Sequence, residues 1–386
     1  MTQAFRNTQC RDQNQPTQAK TCVLWISPNL NHYKEKFLNH LAQHTHLDIT
    51  VLAGSPIASR GHVPAAEKSK YLQQVHVGAD WTTFGWSPSN IIAVLKVVIG
   101  KKWDVVLMPL EKKYILLIVL LAVIRRLRRY QLISYNHATV RCSGRRITWL
   151  DRWFTRCSFR LYDKIIFYTD KSRDWAIANR ILPTKKAFAA NNTLDTSLIW
   201  KNYAFEIAES SPKTILFIGR LLPAKRLDVL FQYYRELSSQ IERLRLIIIG
   251  DGPESEFVRQ VSDADPNIVW RGGVVDEGRI CRDMRKANLV FVPGWSGLSI
   301  VHAFSYGKPY CTLVDGTFIH APEIDYIEDD RNGLLLRGDV KHDIARMHRL
   351  LTNDRIYQQA CEHAYQTGLR LSIENWRAAV TFAMDA

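Results

Sequence analysis

Two Rossmann-like α/β domains facing across a cleft are the fold this sequence predicts. Short apolar runs rich in β-branched residues alternate with helix-period segments along most of the chain, a pattern that calls for parallel strands joined by crossover helices. The alternation halts in a polar stretch near residues 192–212 and then restarts. A length of 386 residues suits two domains of roughly 150 to 200 residues, each able to bury its own core.

Residues 1–20 are polar and lack the apolar core of a signal peptide, so they read as a disordered leader. The first domain, 21–192, runs through CVLWIS, the helical KEKFLNHLAQH, LDITVLAG, an irregular stretch, IIAVLKVVIG, DVVLMP, a long apolar helix, QLISYN, ITWLDRWFTRCSFRLY, DKIIFYT and DWAIANRI. Residues 193–212 are the linker. The second domain, 213–370, repeats the alternation with TILFIG, LRLIIIGDGPE, NIVWRGG, ANLVFVPG and KPYCTLV, each followed by a helical segment. The remaining 371–386 contain a helix expected to return to the first domain. In such a fold a ligand belongs between the C-terminal ends of the strands.

Charge is unevenly placed. Residues 1–200 hold 29 Lys or Arg against 12 Asp or Glu, while the rest holds 23 against 25. The basic half fits an anionic membrane surface, nucleic acid or a phosphorylated substrate, or simply a solvated basic surface. No zinc-finger, KH or RRM signature accompanies it, so nucleic acid is not the expected partner. The apolar run Tyr114–Ile124 is 11 residues, against roughly 20 needed to span a bilayer. It reads as a helix packed beside a sheet, and its continuation RRLRRY leaves room for a basic end on a membrane. In Arg145–Lys164, Ile147, Leu150, Phe154, Cys157 and Leu161 share one helical face with arginines and tryptophans beside it. That face suits either packing on the sheet or a headgroup layer. The seven cysteines are scattered, without metal-type spacing, which reads as a reducing compartment and no metal site.

The chemistry concentrates in two segments. In ILFIGRLLPAKRLDVL, Gly219 ends a strand, Arg220 stands at its tip and Lys225 follows near the next helix start, so both cations are positioned to converge on one diphosphate. In VFVPGWSGLSIVHAFSYGKPY, Gly294 closes a strand, Ser296, Gly297 and Leu298 open a helix whose amides favour phosphate, and His302 lies one turn further in, within reach of a ribose or sugar hydroxyl. Gly252, in IIIGDGPE, and Gly273, in WRGGV, mark two further strand ends and are counted with the donor-binding residues. In the first domain Asn31, His32 and Tyr33 follow the first strand, and Asn136 and His137 follow QLISY, which puts all five at the cleft.

These segments resemble the nucleotide-sugar-binding domain of GT-B glycosyltransferases, most closely glycosyltransferase family 4 or group 1, over nearly the whole C-terminal half. The resemblance rests on the Arg220/Lys225 pair, IIGDGPE, WRGGV and the GL-x3-H-A-x3-G-x-P run. Family members usually carry two glutamates eight positions apart in the last run, one near the donor sugar and one on the ribose. This chain has Gly294 and His302 there. The stretch HAPEIDYIEDDRNGLLL is similar to bacterial members that build surface polysaccharides, and Glu323 within it is the candidate to take over a sugar-hydroxyl contact.

The resemblance implies transfer of a sugar from a nucleoside diphosphate donor to a glycan or lipid-linked acceptor. It further implies retention, no metal and no cofactor, in the cytoplasm or peripherally on the inner face of the membrane. By the same resemblance His137 is the first-domain histidine near the anomeric centre. The missing carboxylates also admit a second reading, a non-catalytic relative that binds membrane or a partner.

Overall fold

The computed structural model describes residues 20–27, 30, 32–54, 73–76, 87–136, 148–208, 212–317 and 319–386. The first domain contains β1 (Thr21–Ser27), α1 (His32–Gln43), β2 (Leu47–Ala53), β3 (Gln73–His76), α2 (Pro88–Gly100), β4 (Val105–Leu107), α3 (Ile115–Arg128), β5 (Gln131–Asn136), α4 (Trp149–Arg160), β6 (Lys164–Phe167), α5 (Asp170–Ala178) and β7 (Ala187–Ala189). After α6 (Ser197–Asn202) come β8 (Thr214–Ile218), α7 (Leu227–Ser238), β9 (Arg245–Ile249), α8 (Ser255–Ala264), β10 (Ile268–Trp270), α9 (Glu277–Lys286), β11 (Leu289–Phe291), α10 (Ser299–Ser305), β12 (Tyr310–Leu313) and β13 (Gly333–Leu336). Three helices close the chain: α11 (Val340–Thr352), α12 (Asp354–Arg370) and α13 (Ile373–Asp385).

The strands form two parallel sheets, ordered β3-β2-β1-β4-β5-β6-β7 and β10-β9-β8-β11-β12-β13. Both orders reverse direction once, between β1 and β4 and between β8 and β11, and a reversal opens a crevice at the strand C-termini. Central strands are buried on both faces, which is why β8 is wholly buried and apolar from Ile215 through Ile218. IIAVLKVVIG lies within α2, with Ile91, Val94 and Val98 turned inward.

The C-terminal helix α13 lies on the first sheet: Trp376 packs edge-on to Phe37 at 4.8 Å between ring centres, and its indole N–H donates to Tyr135 Oη at 2.9 Å. A second crossing comes from the 3-10 turn Pro322–Tyr326 of the second domain. Tyr326 Oη donates to Tyr168 O at 2.8 Å, and Thr169 Oγ1 donates to Asp325 Oδ2 at 2.7 Å.

One helical face differs from the sequence expectation. On α4 the buried positions are Thr155, Ser158 and Phe159, while Leu150 is exposed, Phe154 and Cys157 are half-buried, and Ile147 lies outside the described residues. Thr155 and Ser158 return their hydroxyls to the carbonyls of Asp151 and Phe154, which lets small polar residues pack where hydropathy alone looks for apolar ones. The long apolar run, α3, buries Leu117, Ile118 and Leu121 and leaves Leu116, Val119, Val123 and Leu127 exposed.

Candidate functional site

The β8/β11 reversal brings the two chemistry-bearing segments into contact. Gly219 N donates to Ile249 O at the end of β8, and Leu221 N donates to Asp251 O, so the chain turns off the sheet with Arg220 at the crevice. Pro223–Lys225 then forms a 3-10 turn leading into α7. After β11, Gly294 N donates to Lys225 O at 3.0 Å and Trp295 N to Ala224 O at 2.7 Å, stitching the second turn onto the first. Gly252 seats the third turn: an added Cβ would stand 2.4 Å from Leu221 O. Gly273 packs behind it, against Asp251.

Lys225 is 8% exposed, and its ammonium reaches back toward the strand end, 3.6 Å from where a Cβ on Gly219 would stand. It donates to Trp295 O at 2.5 Å and lies 5.4 Å from the centre of the Trp295 ring. Burial, with the neighbouring Arg220 charge adding to it, pushes its pKa down to about 8. Arg220 Nη1 is itself buried without a partner. Among the described residues neither side chain forms an ion pair with a carboxylate, whereas the adjacent Arg226 is neutralised by Asp315 at 2.7 Å. Two like charges held together in a low-dielectric turn are costly unless an anion completes them.

The remaining second-domain residues divide by surroundings. Ser296 is fully buried, and its hydroxyl meets Gly294 O, Thr312 Oγ1 and Tyr310 Oη at 3.0–3.1 Å, an internal knot. Its amide donates to His320 Nδ1 at 3.3 Å, and His320 Nε2 donates to Leu313 O at 2.6 Å. Those bonds fix His320 as a neutral ring, and burial lowers its pKa. Gly297 and Leu298 lead into α10, and a Cβ on Gly297 would stand 3.8 Å from Glu323 Oε2. Glu323 is 3% exposed; Asn192 Nδ2 donates to its Oε1, while Oε2 has no partner, and burial raises its pKa despite the Asn192 bond. Asn192 in turn accepts from Tyr135 Oη at 3.1 Å, so a polar chain runs from α13 through β5 to the turn beside Gly297.

His302 approaches Glu277 of α9, with 2.8 Å between Nε2 and Oε1, and Tyr306 Oη donates to the same oxygen at 2.6 Å. Burial pushes the Glu277 carboxyl up, but the His302 and Tyr306 bonds, with the charges of His302 and of Lys36 on α1, outweigh it and hold the pKa below the usual value. Glu277 was not singled out by the sequence reading, and neither was Trp295, a 38% exposed ring beside Lys225. Lys34 in the first turn of α1 is a third such residue; burial, opposed by Glu111, brings its pKa to about 8.

In the first domain Asn31 and His137 lie outside the described residues, as do the side chains of His32, Tyr33 and Asn136. The backbones of His32 and Tyr33 open α1, and Asn136 ends β5 opposite Phe167 of β6. All three therefore stand at the C-terminal edge of the first sheet. Among the described residues no group of three or more His, Cys, Asp or Glu is placed to hold a metal ion, and no helix is long and apolar enough to cross a membrane.

Two parallel-sheet domains with a paired-cation turn at the second reversal define the GT-B class, and comparison with known proteins agrees. Residues 212–353 match the protein family described as "Glycosyl transferases group 1". Over 157 residues the chain is 26% identical to the 2-deoxystreptamine N-acetyl-D-glucosaminyltransferase of Niallia circulans, a match spanning 39% of each protein's length. Two solved structures share the fold end to end. A glycosyltransferase from Rickettsia africae superposes with a TM-score of 0.66 at 11% identity, over 95% of this chain and 98% of that one. HepE of Anabaena, solved with UDP and glucose, gives 0.62 at 13% identity over 95% and 99%. Residues 212–353 thus match the group 1 glycosyltransferase family, within a chain whose two domains have the GT-B fold.

Proposed function

We propose that this protein transfers a sugar, with retention and without a metal, from a nucleoside diphosphate donor to a glycan or lipid-linked acceptor in surface polysaccharide synthesis. One observation carries the reading: at the sheet reversal Lys225 is buried beside the half-buried Arg220, whose Nη1 lacks a partner, and among the described residues no carboxylate neutralises either. A diphosphate supplies the missing charge. As the glycosidic bond to the donor breaks, negative charge builds on the leaving phosphate oxygens, and cations already held in place stabilise that charge without reorganising. Glu323 Oε2, unpartnered beside Gly297, is suited to accept from a donor-sugar hydroxyl, and the His302–Glu277 pair stands where a ribose or sugar hydroxyl would lie. The match to an N-acetylglucosaminyltransferase and the UDP bound to HepE favour a uridine nucleotide as the first donor to test.

The outward faces of α3 and α4, apolar and basic together, support work at an anionic membrane on the cytoplasmic side. His137 is the first-domain residue we assign near the reacting centre. A thermal-shift screen of nucleotide sugars tests donor binding, followed by turnover with lipid-linked glycans. Absence of any nucleotide-sugar shift overturns the reading. Tight binding without turnover favours a non-catalytic relative, a possibility motivated by Gly294 standing where the family has a glutamate.

A further inference from the structure

A cavity of about 490 Å³ opens on the first domain between α4 and the segment joining α5 to β7. Arg156, Arg160, Arg180 and Lys186 line it over an apolar floor that includes Phe159 and Ile181, and no acidic side chain contributes. Lys186 is steered by donating to Tyr162 O at 2.9 Å. The three arginines form no ion pair among the described residues, whereas nearby Arg125 and Arg173 are matched by Asp163 at 2.8 Å and Asp170 at 3.2 Å. The cavity sits at the end of α4 and just before β7, hence beside the N-terminal ends of the first sheet's strands, away from the C-terminal edge where His32 and Asn136 stand and in a different domain from the donor turns.

We propose that this cavity holds the phosphate headgroup of an anionic lipid in a bilayer. Residues 149, 153, 156 and 160 follow one another at helical spacing, so Trp149 and Trp153, 73% and 60% exposed, continue the Arg156 and Arg160 stripe along α4. Indoles beside guanidiniums suit the boundary between headgroups and acyl chains. The turn just before α3 touches α4, with Lys112 5.5 Å from the Phe154 ring, and α3 itself exposes Leu116, Val119, Val123 and Leu127, ending in Arg125, Arg126 and Arg128. An acidic protein would match the charge but not the tryptophans. The site deepens the membrane part of the reading above and is independent of donor chemistry.

The test floats the full chain with vesicles of phosphatidylcholine, alone or mixed with phosphatidic acid, while donor turnover is measured separately without vesicles. Arg156→Gln with Arg160→Gln is expected to weaken binding to phosphatidate vesicles about tenfold or more, as is fitting for two cations at a charged surface. Lys102→Gln with Arg126→Gln, cations outside the cavity, is expected to cost clearly less, and Trp149→Ser with Trp153→Ser to weaken binding to every vesicle. Arg180→Gly, which keeps the left-handed backbone at φ 55°, provides a second cavity variant. Equal losses from the two cation pairs would mean diffuse attraction and overturn the site. Binding of glycerol phosphate or polyglutamate without binding of vesicles would overturn the lipid. Failure of all vesicle binding with donor turnover intact sinks this proposal and leaves the donor reading standing.

Discussion

Gly294 lies directly on Lys225: a Cβ at position 294 would come within 2.6 Å of Lys225 Cα and 2.1 Å of Ala224 O. Both obstacles are backbone, so neither yields by changing rotamer. The glutamate that relatives carry at this point cannot enter without separating the two turns that build the cation site. Gly294→Ala is therefore expected to destabilise the fold by about 1 to 3 kcal/mol, the usual range for overpacking, and Gly294→Glu by more. Chemical denaturation measures it. A Gly294→Glu protein as stable as wild type would show that the turns do not touch in this way.

The cation pair predicts opposite effects on stability and on binding. Burying Lys225 beside Arg220 holds its pKa near 8 instead of 10.5, a cost on the order of 2 to 3 kcal/mol while it is charged. Lys225→Met removes that cost while keeping the chain's length and apolar stem, so the ligand-free protein should gain on the order of 2 kcal/mol at neutral pH. Donor binding should weaken by about 1.5 to 3 kcal/mol for each charge-assisted hydrogen bond removed, in Lys225→Met and Arg220→Met alike. Melting curves with and without nucleotide separate the two effects. Loss of stability with unchanged nucleotide affinity would reverse the assignment.

The same pKa fixes the pH dependence. The folded value, about 8, lies below the unfolded 10.5, so the folded protein binds fewer protons between them and stability rises with pH across that window. The cost of the buried charge is complete below pH 8 and relieved by 10.5, so the advantage of Lys225→Met should fade over that range. A bound diphosphate restores the charge. Nucleotide binding near pH 8 should therefore take up roughly half a proton, readable by calorimetry in buffers of different ionisation enthalpy. Zero uptake there would place the phosphates away from Lys225.

Local signals made part of this legible from sequence. Arg220, Lys225, Gly294 and Gly297 follow strand ends in short, recognisable turns, and the strand order then carries those turns together. Glu277 gave no such signal, because it lies 25 residues from His302 and meets it only after α9 and α10 pack. The Asn192–Glu323 bond spans 131 residues and crosses between domains, which no periodicity encodes. On α4 the hydropathy reading failed because Thr155 and Ser158 satisfy their own hydroxyls and pack inward, while Trp149, Leu150 and Trp153 face out.

Glu277 brings a carboxylate from α9 to the residue that stands where relatives carry a glutamate. By pairing with His302 Nε2 it holds the ring in one orientation and leaves Nδ1 as the ring atom that meets a hydroxyl. Glu277→Ala frees the ring and should raise the donor KM about tenfold, in line with removing a hydrogen bond to a charged group. Glu277→Gln keeps an acceptor oxygen and should cost less. If the two act as one unit, His302→Ala added to Glu277→Ala should change little further. Tyr306→Phe, which removes only the 2.6 Å bond to the same oxygen, separates packing from function, because it should lower stability more than it alters KM. Since the folded Glu277 pKa is depressed from 4.5, its contribution to stability is present above that pH and is lost as the pH falls through the folded value. Glu277→Gln should flatten that acid limb of the melting profile. Additive losses in the double variant, or an acid limb unchanged by Glu277→Gln, would show that the carboxylate does not act through His302.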